Sequence, residues 1–131
     1  MINHYKLNPN ISIERLEELG FKNGGWMPNI ESPKMMFMGL LNSDIELYIE
    51  INTNTFEFDE YENIFILDNN FGQPYYPFYK ENDDSNYVRS ARDSYNRIMD
   101  SLANNGLFIK TKGRAKKPKH KPIYMKKDSH F

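Results

Sequence analysis

Six carboxylates crowded between positions 46 and 62, Glu46, Glu50, Glu57, Asp59, Glu60 and Glu62, are the groups in this chain best placed to do chemistry. Carboxylates at that density can hold a hard divalent cation, trade protons as general acid and base, or offer negative charge to a basic partner. The first two uses lack company. A metal-dependent nuclease sets a lysine beside its carboxylates, and no Lys or Arg occurs between Lys34 and Lys80. The third use stands: acidic side chains spaced along strands imitate a phosphate row and can fill a nucleic-acid groove on another protein. Against it stands an ordinary solvated sheet face, which needs no partner.

A second cluster has the opposite sign. Lys110, Lys112, Arg114, Lys116, Lys117, Lys119 and Lys121, followed by Lys126 and Lys127, put nine basic residues between Lys110 and Lys127 with no acid among them. Pro118 and Pro122 keep such a stretch extended, a form that tracks a phosphate backbone and gains from counterion release. The alternative is a solubilising arm, or one that lies back on its own acidic body. The formal charge of −1 conceals the split: residues 1–105 hold eight Lys/Arg and seventeen Asp/Glu, and residues 106–131 hold nine Lys/Arg and one Asp. The body is therefore −9 and the tail +8, a statement about partners rather than fold.

Other chemistries lack their residues. The chain has no cysteine, which removes disulfides, thiolate metal sites and thiol nucleophiles. His4, His120 and His130 sit near the two ends without an i,i+4 pair, so the sequence implies no metal and no cofactor. The glycines from Gly20 to Gly25 follow a helix and precede a strand, the reverse of a phosphate-binding loop. No serine stands in a nucleophile elbow. The aromatic loop Phe71–Tyr79 could stack bases through Tyr75, Tyr76, Phe78 and Tyr79, or plug an open end of the core; plugging is the commoner use of aromatics. Met27, Met35, Met36 and Met38 are either core filling or an adaptable partner surface.

The elements that must carry these groups are legible. Ser12 caps a short helix over Ile13–Leu19, Ile11 staples onto Leu16, and Gly20 suits the left-handed position that ends it. Trp26-Met27 begins a strand series. Met35–Leu41 reads as a buried strand, apolar on both sides. In Ile45–Asn52 the alternation is clean, with Ile45, Leu47, Ile49 and Ile51 opposite Glu46, Tyr48, Glu50 and Asn52. Phe56 and Phe58 alternate with Glu57 and Asp59, and Ile64–Leu67 is another strand. Val88, Ala91, Tyr95, Ile98 and Leu102 stripe one face of a long helix, with Asp93 and Arg97 spaced to pair on the other. Leu107–Ile109 could add an edge strand. The expected fold is α+β: an antiparallel meander of four to five strands, with an N-terminal short helix and a C-terminal long helix on one face. Residues 1–109 form the single domain and 110–131 the basic tail.

The opening YKLNPNISIERLEELGF, the acidic strand pair and FGQPYYPFY before the last helix resemble small hypothetical proteins of phages and prophages of Gram-positive bacteria. Sixteen Asn against three Ala fits an AT-rich coding sequence of that kind. The resemblance covers most of residues 1–109 and implies an accessory role in host takeover or counter-defence, with no site residue to carry over. The sequence thus supports a non-enzymatic binding protein of the bacterial cytoplasm, its acidic face set against a host or defence protein that binds nucleic acid, and its tail against DNA or RNA. A plain nucleic-acid-binding accessory protein and a small carboxylate-dependent hydrolase are the rivals. The N-terminus has no apolar signal region, and the apolar run Met35–Leu41 is too short to span a membrane.

Overall fold

The computed structural model describes residues 2–24 and 33–112. Chain order is β1 (His4–Leu7), α1 (Ile13–Glu18), β2 (Lys22–Asn23), β3 (Lys34–Leu40), β4 (Ile45–Asn52), α2 (Glu60–Asn63), β5 (Ile64–Asp68) and β6 (Gln73–Pro74). A 3₁₀ turn (Tyr76–Tyr79), α3 (Asn86–Asn104) and β7 (Phe108–Thr111) complete it. The expected strand at Trp26-Met27 lies outside the described residues, as do Arg114, Lys116, Lys117, Lys119 and Lys121.

The α+β meander is present. β2 to β6 form one five-stranded sheet in sequential order, antiparallel throughout. Its register follows from burial: Ile45, Leu47, Ile49 and Ile51 of β4 are all fully buried, and a slip of one residue would turn the four of them to the other face. Against them pack Val88, Ala91, Tyr95, Met99 and Leu102 of α3 and Leu16 of α1, so both helices cover the same inner face. Met99 is fully buried and Ile98 only partly, which shifts the expected stripe of α3 by one residue at that turn. Burying an aliphatic side chain of this size is worth about 1.5–3 kcal/mol, so the face is specified many times over.

The ends of α1 follow the sequence closely. Ser12 Oγ accepts from Arg15 N–H at 3.1 Å. At the other end Gly20, at φ +101°, lets Phe21 N–H reach Leu16 C=O and Gly20 N–H reach Glu17 C=O, each at 3.0 Å. That turn also sets the Phe21 ring against Phe37, with centroids 5.5 Å apart.

Four expectations need correction. Leu107–Ile109 does not extend the main sheet: β7 pairs with β1 in a separate two-stranded sheet. Phe56 and Phe58 lie outside any strand, because Phe56 takes a left-handed turn (φ 52°) and closes onto Asn52 C=O at 2.7 Å. Phe58 instead meets Phe108 of β7, centroids 5.1 Å apart. Asp59, read on the strand, and Glu60 and Glu62, read beside its acidic face, belong to the cap and body of α2. Arg97 donates to Ser94 Oγ at 2.9 Å and not to Asp93.

Candidate functional site

The six carboxylates singled out from the sequence do not form one row. Glu46 and Glu50 do share the outer face of β4, away from the helices. Glu50 is nonetheless buried, its carboxylate 3.5 Å from Lys34 Nζ at the far end of β3. Asp59 caps α2 by accepting from Tyr61 N–H at 2.7 Å. Glu60 turns inward to hold β1: Oε1 accepts from Tyr5 N–H at 3.2 Å and Oε2 lies 3.2 Å from His4 Nδ1. Glu57 is exposed and Glu62 half-buried, both off the sheet. The acidic sheet face expected from alternation therefore shrinks to Glu46, with Glu57 and Asp59 exposed beyond the end of β4. The chain leaves the sheet at Asn52, so alternation past that point no longer assigns a face.

What stands beside Glu46 was misread from the sequence. The strand register places Leu40 directly opposite Glu46, Met38 opposite Tyr48 and Met36 opposite Glu50, all on the outer face. Met35 on the inner face is 1 % exposed, whereas Met38 and Leu40 are 59 % and 61 % exposed. β3 is thus not buried on both sides. Beyond Lys34 its even-numbered residues, Met36, Met38 and Leu40, are apolar side chains on a face that neither α1 nor α3 covers, and only the register with β4 reveals it. Tyr48 donates its hydroxyl along the same strand to Glu46 Oε1 at 3.0 Å; burial raises its pKa above the ordinary phenol value, and this bond adds to the rise. Phe65 and Leu67 of β5 continue the face beyond Tyr48 and Glu46.

Two further clusters were missed because their partners are far apart in sequence. Tyr5 of β1 donates its hydroxyl to Asp100 of α3, and Lys110 Nζ of β7 lies 3.7 Å from the same carboxylate. Burial first, then the bond to Asp100, pushes the Tyr5 phenol well above its ordinary range, and burial does the same to Tyr95. Lys110 is held on the body by the pairing of β7 with β1, and Lys112 is exposed at the end of the described chain. The second cluster is Arg92, 8 % exposed, whose guanidinium donates to main-chain carbonyls of Pro77, Phe78, Lys80 and Asp83. This clasp fixes the aromatic loop as a plug: Tyr75 and Phe78 are buried, and Phe78 meets Tyr95 edge-on at 5.3 Å. Base stacking by those two rings is closed off by the core they fill. Among the described residues no group of three or more His, Asp or Glu is placed to hold a metal ion. No described helix is long and apolar enough to cross a membrane.

The fold is similar to that of a DUF1831 family protein from Lactobacillus plantarum, known from a crystal structure. The TM-score is 0.58 at 16 % identity, covering 82 % of this chain and 86 % of that one. At that identity the likeness shows the fold alone. No protein-family model and no curated protein matches the chain.

Proposed function

We propose that the chain is a non-enzymatic binding protein whose outer sheet face docks a basic protein, in keeping with the phage-type accessory role its sequence resembles. One observation carries the reading. Met38 and Leu40 stand more than half exposed on the face opposite the helices, with Glu46 at their margin. An apolar centre with a charged rim is the make-up of a protein-docking patch, and soluble proteins seldom leave large apolar side chains adjacent and bare without use. The partner is basic because positions 35–79, which build most of this sheet, carry eight Asp/Glu and no Lys or Arg. A host or defence protein that binds nucleic acid has such a surface. The patch occludes it through mixed apolar and acidic contact, not through a continuous phosphate-like row, since Glu50 and Glu60 are engaged within the fold. The basic tail adds contact with DNA or RNA phosphates near the docked partner.

The test is capture from bacterial lysate by the full-length chain and by its Leu40→Asp and Met38→Asp variants, each with and without nuclease. Both side chains are exposed, so the variants keep the fold, which circular dichroism checks. The reading expects a partner that survives nuclease and is lost with either substitution. Capture that nuclease abolishes, or that both variants retain, overturns it.

A further inference from the structure

Alternate residues of β3 direct their main-chain N–H and C=O toward β4, and those between direct theirs the opposite way. Leu41 N–H donates to Ile45 C=O at 2.8 Å. Following the register from that pair, Gly39 and Phe37 bond to β4, and Leu40, Met38 and Met36 face the other edge. The far end agrees, since Lys34 C=O accepts Gly24 N–H from the β2 side at 3.0 Å. Yet β2 is only two residues long and pairs with Met36 and Met35 alone. Upstream of it the N–H groups of Phe21 and Gly20 bond back to Leu16 and Glu17 in the turn that ends α1, and not to β3. Among the described residues, nothing bonds to the outward N–H and C=O groups of Met38 and Leu40. These are the same two residues whose side chains are 59 % and 61 % exposed. Open ladder groups between bare apolar side chains form a template for another strand.

We propose that the β3 edge from Phe37 to Leu40 takes up an extended segment of the basic partner protein, added to the sheet in line with β2. This rests on the docking reading above and specifies its mode. Main-chain bonds to Met38 and Leu40 supply the attachment, and alternate side chains supply the choice. Side chains on the outer face of the added strand cover Met38 and Leu40 with aliphatic carbon, which the stem of a lysine or arginine supplies. A lysine or arginine on that face carries its charged end toward Glu46, which sits across from Leu40, and toward the base-free stretch around it. A nucleic acid offers no alternating N–H and C=O ladder, and its charge matches that of this region in sign.

Amide hydrogen exchange of Met38 and Leu40 in the full-length, isotope-labelled protein tests the mode. The probes are a synthetic hexapeptide of alternating lysine and valine and its glutamate–valine counterpart. Both amides are expected to exchange rapidly in the protein alone, and at least tenfold more slowly with saturating lysine–valine peptide. The glutamate–valine peptide leaves them unchanged. Leu40→Pro removes one outward donor without touching a bond to β4, so it should weaken peptide binding at least fivefold while thermal melting stays the same. Should that variant misfold, Met38→Lys, which repels the peptide at an exposed position, gives the same comparison. Amides already protected in the protein alone would mean the chain covers its own edge. Protection that grows with protein concentration would mean a second copy does. Either result overturns the proposal, as does peptide binding unchanged by both substitutions. If the peptide fails while Leu40→Asp still loses the lysate partner, strand addition falls and the docking face stands.

Discussion

Replacing Arg92 by methionine keeps the aliphatic stem of the side chain and removes a guanidinium that donates to four main-chain carbonyls of one loop. The bonds run from Nε to Phe78 at 3.2 Å, from Nη1 to Asp83 at 2.7 Å, and from Nη2 to Pro77 at 3.1 Å and to Lys80. A hydrogen bond to a charged group contributes about 1.5–3 kcal/mol. The four do not add, because Lys80 is exposed and Pro77 and Asp83 are half-buried, so water replaces the guanidinium at three of the carbonyls. Phe78 C=O, in a buried residue, carries most of the cost. The expected loss is about 2–4 kcal/mol, in the range of other broken buried networks. For a domain of this size that lowers the melting temperature by roughly 8–16 °C. Arg92→Lys should recover less than half, since three donors on one point cannot span four carbonyls set around a fork. Urea unfolding and thermal melts of the two variants measure this. A methionine variant within about 0.5 kcal/mol of the parent would refute the reasoning, and would mean that the aromatic loop is held by Tyr75 and Phe78 alone.

Ile49→Ala and Leu102→Ala remove buried side chains from opposite sides of the core, and each should cost about 2–5 kcal/mol in urea unfolding. Tyr5 and Tyr95 have folded pKa values raised above that of the unfolded chain, chiefly by burial. Their contribution is therefore complete below about pH 10, and it is lost as pH rises further, because the unfolded chain gives up those protons first. Unfolding free energy measured between pH 8 and about pH 11.5 should fall at the alkaline end, and Tyr5→Phe should flatten part of that fall. For the tail, Lys110 is engaged with Asp100, which leaves Lys112, Arg114, Lys116, Lys117, Lys119 and Lys121 for phosphates. Duplex DNA binding should then show a log–log salt slope of roughly −5, abolished by deleting residues 113–131.

Period and punctuation made much of the fold legible. The period-two run from Ile45 to Ile51 named the buried face of β4, and the Ser12 cap with Gly20 bounded α1 to within a residue. The three–four stripe of α3 identified its core side, except where Met99 replaced Ile98. Alternation failed wherever the chain departed from a strand. Phe56 turns left-handed, and beyond it Asp59 and Glu60 serve α2 and β1, so charges that looked like one face have separate duties.

The sequence by itself determined the sign and distribution of charge, the elements α1, β3, β4, β5 and α3, and which side of β4 must be dry. These follow from local propensity and from the free energy of burying one face of each element, both readable from spacing along a single segment. Tertiary structure alone decided what β3 exposes. An apolar strand such as Met35–Leu41 is compatible with burial on either face or both, and only its register against β4 sets Met38 and Leu40 beside Glu46 on the uncovered side. The clasps at Arg92, Glu60 and Asp100 were equally out of reach. Each joins groups more than eight residues apart, and Glu60 and Asp100 meet β1 across more than fifty positions, where a partner is chosen by the closed fold and not by any pattern along the chain.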